Sequence, residues 1–419
     1  MILKFTNIIL FIVYIMGVYF IVFWLLTLVD KEKTSRKMSL KNLPKVSIAI
    51  PAYNEEETIV ETLKSVINLD YPKSKLEIIV INDGSKDDTR KLVENIVKQN
   101  TGDNIILINK ENGGKASALN IALKRAKGEF FVTLDADSFV REDALKKLLP
   151  HFGDKNVGVV LPLLKIHSPK NILERLQHYE YIIGFFYKKL MGKLNCIHVA
   201  PGPFSVYRKE VVTKLGGYKV GNLTEDQELT FNLQKHHYKV IQILDTIVHT
   251  KAPRTIKSLY KQRNRWYKGA MYNIWDYRKL LFNREYGDFG MIQLPSVMLS
   301  GVLALLALAL VLYTSIYPAG VWLYNLRLIN FDFITLIQNP VINLHLLDFD
   351  YMIIVTMIFT SSLSILALIL AHKMVNEKIF HKKTNIVSVF LFLFVYFFVI
   401  AFMWIGIAFD IISGRKQRW

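Results

Sequence analysis

Apolar residues gather at the two ends of this chain, and charged and apolar positions alternate between them. Phe5–Val29 is a run of 25 uncharged residues, enough for a helix to cross a hydrocarbon core of roughly 30 Å. It is too long for a signal-peptide core, and no small-residue cleavage site follows it. Residues 30–41 carry Lys31, Lys33, Arg36, Lys37 and Lys41, which the positive-inside rule places on the cytoplasmic side, so the amino terminus is expected outside. Towards the other end, residues 291–316, 351–371 and 386–412 each have the length of a spanning helix. A weaker stretch, 321–337, contains Arg327 and Asp332, so a surface or re-entrant helix competes with a span there.

The middle of the chain has a different period. Residues 46–51 read as a short buried strand closed by proline, and 55–67 as a helix with Ile59, Leu63 and Val66 on one face. A second strand, 76–81, runs into Asn82-Asp83-Gly84-Ser85, and 89–99 reads as the next helix. Residues 105–108 form a third expected strand, 116–127 a helix, 130–134 a continuous apolar strand and 141–149 another helix. Strands alternating with helices predict an α/β domain with a mostly parallel sheet. Such sheets bind ligands beyond the carboxyl ends of their strands, where Tyr53, Glu55 and Asp83 fall. Ordinary turn chemistry is the competing reading of Asp83.

Composition fits a membrane chain, with 52% hydrophobic residues and a mean hydropathy of +0.25. The formal net charge of +18 would suggest nucleic acid in a soluble protein. Here the basic residues flank apolar segments and would face anionic lipid, and no recognised nucleic-acid module is present, so no nucleic-acid partner is expected. The single Cys196 excludes an intramolecular disulfide and a cysteine-built zinc cluster, and reads as a buried thiol.

Candidate chemistry lies at the expected strand ends. Gly113 and Gly114, followed by Lys115, precede the helix expected over 116–127, a plausible phosphate site through backbone N–H groups and the positive helix end. The spacing of a P-loop is absent, which removes the main support for an ATPase or GTPase. Asp135 and Asp137, one residue apart on an extended segment, can share a divalent cation, Mg²⁺ or Mn²⁺, with the diphosphate it neutralises. Helix-capping aspartates are the alternative. Further on, Arg254, Lys257, Lys261, Arg263, Arg265 and Lys268 mingle with Tyr260, Trp266, Tyr267 and Tyr272, as in a helix lying in the membrane interface.

Six strings fall in one order: Pro51-Ala52-Tyr53-Asn54-Glu55, Asn82-Asp83-Gly84-Ser85, Gly114-Lys115-Ala116-Ser117-Ala118-Leu119-Asn120, Asp135-Ala136-Asp137, Thr224-Glu225-Asp226 and Gln262-x-x-Arg265-Trp266. With them the chain resembles the membrane-embedded family 2 glycosyltransferases of GT-A fold, the branch of cellulose, hyaluronan, chitin and poly-N-acetylglucosamine synthases. The resemblance covers residues 44–277. It implies that Pro51, Ala52, Tyr53, Glu55, Asp83, Lys115 and Asp135 line the nucleotide-sugar donor, usually a UDP-sugar. It also implies that Asp137 with Asp135 binds the metal, and that Asp226, beside Glu225, is the general base. Gln262 and Arg265 would lie beside the diphosphate, and Trp266 under the acceptor sugar. A loop holding Gly202 and Pro203 would approach the acceptor. The chemistry asks for such an arrangement independently, because an attacking hydroxyl must lose its proton and a departing diphosphate needs positive charge. An indole face also suits the C–H face of a pyranose, and a tryptophan anchored at a membrane interface is the competing reading.

The domains expected are a transmembrane helix in 1–30, a GT-A domain in 44–250, interfacial helices in 251–290, transmembrane helices in 291–412 and a basic tail in 413–419. The leading expectation is an inverting synthase in the cell membrane, multi-pass, its catalytic domain cytoplasmic, that extends a polysaccharide and passes it outward. Transfer of one sugar to a glycolipid acceptor is the alternative, and a non-catalytic transporter the reading from another class. By the resemblance, Gly414-Arg415-Lys416-Gln417-Arg418-Trp419 looks like the start of a tail that leads to a Thr-x-Arg gating motif. Two topology rules conflict at this end. Three carboxyl-terminal spans put the 373–383 loop inside and the tail outside, whereas a further span at 321–337 reverses both, and the resemblance favours an inside tail.

Overall fold

The computed structural model describes residues 5–29, 39, 42–328, 330, 351–379 and 383–414. Most of the basic run 30–41, the second half of the 321–337 stretch and the tail 415–419 lie outside the described residues. Eight strands form one sheet in the order β3-β2-β1-β4-β7-β6-β8-β5. They are β1 Val46–Ala52, β2 Leu76–Asp83, β3 Ile105–Lys110, β4 Phe130–Thr133, β5 Ser138–Val140, β6 Val157–Ile166, β7 Ser205–Arg208 and β8 Lys239–Thr250. Pairings β1–β2, β1–β4, β2–β3 and β6–β8 are parallel, and those of β7 with β4 and β6 and of β5 with β8 are antiparallel. The sheet is therefore mixed, parallel at the edge that begins the chain's middle.

Helices cover both of its faces, so the strands are apolar throughout. Successive side chains alternate between the layers. Ile48, Ile50, Ile78, Val80 and Val132 pack with Leu63 of α2 (Ile59–Ile67) and Val93 of α3 (Thr89–Gln99). Ala49, Ile79, Ile81 and Phe131 pack with Leu119 of α4 (Lys115–Arg125) and Ile182 of α6 (Ile172–Lys193). The short α5 (Ala144–Leu148) and α7 (Lys209–Lys214) complete the two layers. The register sets Ala52 beside Asn82 and Asp83 beside Lys110, which brings the parallel carboxyl ends to one edge.

The helix expected over 55–67 begins only at Ile59. Asn54 is in the left-handed region at φ 55°, and the N–H groups of Asn54, Glu55 and Glu56 donate to Ser85 Oγ, Thr89 Oγ1 and Asp87 Oδ2 at 2.8–3.2 Å. The loop after β1 is thus tied to the loop after β2. Two further helices, α8 (Glu225–Lys235) and α9 (Ile256–Asp276), carry the last two strings; α9 starts in a capping box between Thr255 and Ser258.

The apolar helices are α1 (Phe5–Val29), α10 (Leu294–Val311), α11 (Tyr317–Leu328), α12 (Tyr351–Met374), α13 (Lys383–Phe394) and α14 (Tyr396–Ile412). Among the described residues one helix is long and apolar enough to cross a membrane by itself, Phe289–Leu328 with 40 residues. At 1.5 Å per residue it is about 60 Å long. It joins α10 to α11, so residues 321–328 extend the preceding helix and begin no separate one. The helix expected over 386–412 breaks at Val395 into two pieces bent by 42°, and only as a pair do they match a span. Shorter apolar helices are Tyr14–Val29 and Ile358–Met374.

Their ends meet the sheet domain. Lys193 Nζ donates to Thr27 O and Leu28 O, each at 3.0 Å, and so caps the carboxyl end of α1. Gln293, at the head of α10, accepts from Tyr187 Oη at 2.6 Å and donates to His198 Nδ1 at 2.8 Å. Just past α12, Glu377 sits between Lys165 Nζ at 2.7 Å and His178 Nε2 at 2.6 Å. Near the end of α14, Asp410 accepts from Asn264 Nδ2 at 2.8 Å.

Candidate active site

The site begins at the parallel strand ends. Asp83 closes β2, and its neighbour in register, Lys110, forms an ion pair with it. Asp83 Oδ1 also accepts from the Gly113 N–H at 3.0 Å and Oδ2 from the Gly114 N–H at 2.8 Å. Both glycine N–H groups therefore bond to a carboxylate of the chain in this structure. Turn chemistry describes what Asp83 does in this structure. Tyr53 stands exposed on the adjoining loop, which Pro51 and Ala52 lead into.

Lys115, the first residue of α4, joins two of the sequence strings. Its Nζ lies 2.5 Å from Asp135 Oδ1 and 3.3 Å from Glu225 Oε1. Burial opposes its charge, but Asp135, Glu225 and Asp226 hold it above the ordinary lysine range. Gly202 lies against this pair. A Cβ there would come within 2.5 Å of Lys115 Nζ and 2.7 Å of Asp135 Oδ1, so a side chain at 202 would have to displace the ends of this pair. Gly202 O is fixed by Thr133 Oγ1 at 2.8 Å. Gly202, with Pro203 next to it, thus borders the carboxylate cluster.

Asp137 receives a hydrogen bond from Ser138 Oγ at 2.9 Å. Burial and then Asp135 push it up to about 6. Burial likewise raises Glu55 to about 7, against the bond from Thr58 and with the help of Asp137 and Asp135. Carboxylates crowded this way favour a proton or a cation between them. Among the described residues no group of three His, Cys, Asp or Glu side chains forms a complete metal site. A pair of carboxylates fits Mg²⁺ or Mn²⁺, whose remaining ligands come from phosphates and water.

Across the cluster stands α8. Glu225 is 2% exposed and leans on Lys115, whereas Asp226 is half-buried, its Oδ1 accepting from the Gln227 N–H at 2.8 Å. Neighbours in sequence therefore have different surroundings. Burial raises Glu225 above the usual carboxylate range despite Lys115. Its position is fixed by a clip between α8 and α9. Asn273 Nδ2 donates to Thr224 Oγ1 at 3.0 Å and to Gln227 Oε1 at 3.2 Å. At Gly269 a Cβ would meet Thr224 Oγ1 at 2.5 Å.

On α9, Arg265 donates to Leu223 O at 3.2 Å, just ahead of the acidic string, and its charge reaches Glu225. Gln262 Oε1 accepts from Arg263 NH1 at 2.8 Å, and the Arg263 guanidinium lies 4.3 Å from the centre of the Trp266 ring. One face of Trp266 is therefore covered by a cation, and an acceptor would use what remains open. Lys110, Gly269 and Asn273 were not singled out in the sequence. The glycine inside an amphipathic helical run was the one available signal, since an unforced glycine there costs stability.

Residues 47–216 match the family model described as Glycosyl transferase family 2. The poly-beta-1,6-N-acetyl-D-glucosamine synthase of Staphylococcus aureus is 32% identical over 276 residues, covering 64% of this chain and 66% of the synthase, just under two thirds of its length. The probable glycosyltransferase YdaM of Bacillus subtilis is 34% identical over 240 residues, 56% of this chain and 57% of that protein. Among solved structures, the mannosyltransferase PcManGT from Pyrobaculum calidifontis, in complex with GDP-Man and Mn²⁺, superposes with a TM-score of 0.63. It is 18% identical and covers 88% of this chain and 97% of that one, a likeness of fold.

Proposed function

The chain carries a family 2 glycosyltransferase domain of GT-A-like fold, and from that premise we propose that it is a polymerising sugar transferase seated in a membrane. The donor is a nucleotide-sugar, UDP-N-acetylglucosamine being the first to test given the synthase among its relatives. The observation that carries the reading is Lys115, which bridges the strand-end Asp135 and the Glu225 of the acidic string. One cation thereby joins the donor edge to the base motif.

In this reading Tyr53, Glu55 and the loop at Pro51 and Ala52 border the nucleoside, and Asp83 fixes the Gly113-Gly114 turn beside it. Asp135 and Asp137 would hold a divalent cation, whose charge would offset that of the donor diphosphate. Asp226 takes the proton from the attacking acceptor hydroxyl. The new bond forms at the anomeric carbon as the bond to the diphosphate oxygen breaks, on the opposite face, and the configuration inverts. Lys115 and Arg265 face the negative charge that develops. Trp266 offers its open face to the acceptor sugar.

Membrane seating rests on the apolar helices whose ends meet the sheet domain. The carboxyl end of α1, the head of α10, the end of α12 and the end of α14 all lie near that domain, and the basic residues that follow α1 favour the cytoplasmic side for it. Incubating the purified protein with radiolabelled UDP-N-acetylglucosamine and Mn²⁺ tests the proposal. A product ladder on a gel is expected. A single addition to lipid would transfer the reading to a glycolipid synthase, and no donor turnover with any of a panel of nucleotide-sugars would sink it.

A further inference from the structure

Arg263 is the largest fully buried side chain of the described residues, although it is an arginine. A buried guanidinium needs partners, and those of Arg263 come from α6 and from α9 itself. Its NH2 donates to Glu180 Oε2 of α6 at 2.6 Å, and its NH1 to Gln262 Oε1 at 2.8 Å. Its plane rests on Trp266. Glu180 Oε2 in turn accepts from Tyr396 Oη at 2.7 Å, from the first residue of α14.

We propose that Arg263 is a positioning residue of the acceptor site, itself held by Glu180 and Tyr396, which makes the terminal helix pair α13–α14 part of that site. This rests on the reading of Trp266 as the acceptor platform. Two consequences follow from the geometry. By covering one face of the indole, Arg263 leaves a sugar ring the other face and fixes the tilt of the ring. By taking Gln262 Oε1, it leaves the Gln262 Nε2 donors turned away from itself, the polarity suited to phosphate oxygens. Lysine could keep the charge but not the planar fork that reaches a carboxylate and an amide at once while stacking on a ring.

The test needs no substrate in its first arm. The full chain labelled with 5-fluorotryptophan gives a ¹⁹F resonance for Trp266, assigned by its loss in Trp266→Phe. Arg263→Lys, Glu180→Gln and Tyr396→Phe should each move that resonance while the other tryptophan signals stay in place. In the second arm, with UDP-N-acetylglucosamine and a β-1,6-linked N-acetylglucosamine oligosaccharide, Glu180→Gln should raise the acceptor KM about tenfold or more with donor KM within about twofold, whereas Arg263→Lys, which also releases Gln262, should raise both. A Trp266 resonance that ignores Glu180→Gln and Tyr396→Phe overturns the proposal. If Arg263→Lys does not fold, Tyr396→Phe, which deletes one hydroxyl, decides alone through the resonance. If instead Trp266→Ala leaves the acceptor KM unchanged, the platform reading falls, and the resonance arm still judges the network.

Discussion

Glu225 and Asp226 show how little a short acidic string says about which of its members works. Glu225 is buried against Lys115, and Asp226, one position on in the first turn of α8, is half-buried and bears on Lys115 by its charge alone. A helix turns about 100° per residue, so adjacent carboxylates cannot share a face. Asp226→Asn is expected to lower turnover by at least about a hundredfold, the scale of lost general-base catalysis, while calorimetry with UDP finds donor affinity nearly unchanged. An equal loss of UDP affinity would move Asp226 to the nucleotide. The residue types at both sites were legible in the sequence, as was the carboxylate pair at 135 and 137. The partners of Asp83 were not, because Lys110 reaches it only through the parallel register of β2 and β3.

Elements meet through small polar contacts at two places. The clip between α8 and α9 needs a residue without a side chain at 269. Gly269→Ala should displace Thr224 and with it Asp226, and misplacement of this size costs on the order of tenfold to a hundredfold in kcat. Steady-state rates beside an unaltered UDP titration check it; full activity would show that the helices separate freely. The second place is Glu377. Burial works against its charge, but His178 and Lys165 hold it down at about 2 against an ordinary value of 4.5. A depressed carboxylate stabilises above its unfolded value and loses that contribution as pH falls through its folded one. The protection of residues 375–379 against hydrogen exchange, taken relative to the intrinsic rate at each pH, should therefore be unchanged between pH 5 and 8 as far as Glu377 is concerned, and fall as pH drops towards 2. Glu377→Gln should bring that loss of protection to neutral pH, at a local cost of about 1.5–3 kcal/mol. Exchange in that variant identical to the parent would mean that the clasp holds nothing.

At the scale of the molecule, both topology rules that conflict in the sequence would be met if the broken helix pair α13–α14 does not cross. The loop after α12 meets the sheet domain through Glu377, and the end of α14 meets α9 through Asp410. Such a pair fits a re-entrant element, with Tyr396 in its middle bonded to Glu180 of α6. The lysine-rich loop and the tail can then both lie inside, as positive charge prefers. In a background with Cys196 replaced, cysteines at Lys378 and Ser413 should resist an impermeant thiol reagent on intact cells, and one at Tyr324, on the far end of the 40-residue helix, should react. Labelling at Ser413 would show that the pair crosses.

The sequence by itself determined the α/β middle, the apolar ends and the order of the motif strings, because period, chain reach and residue chemistry are local properties. It placed Asp135 just past a strand and Arg265 and Trp266 on a helix. Only the tertiary structure decided what those residues face. The Gly113-Gly114 turn, open to phosphate in the sequence, bonds in this structure to Asp83 from another strand, and Trp266 is half covered by an arginine whose carboxylate partner on α6 is bonded in turn from α14. The 386–412 run is continuous in hydropathy yet bends at Val395, where packing on α6 and α9 outweighs a helical propensity that apolar composition alone leaves unbroken.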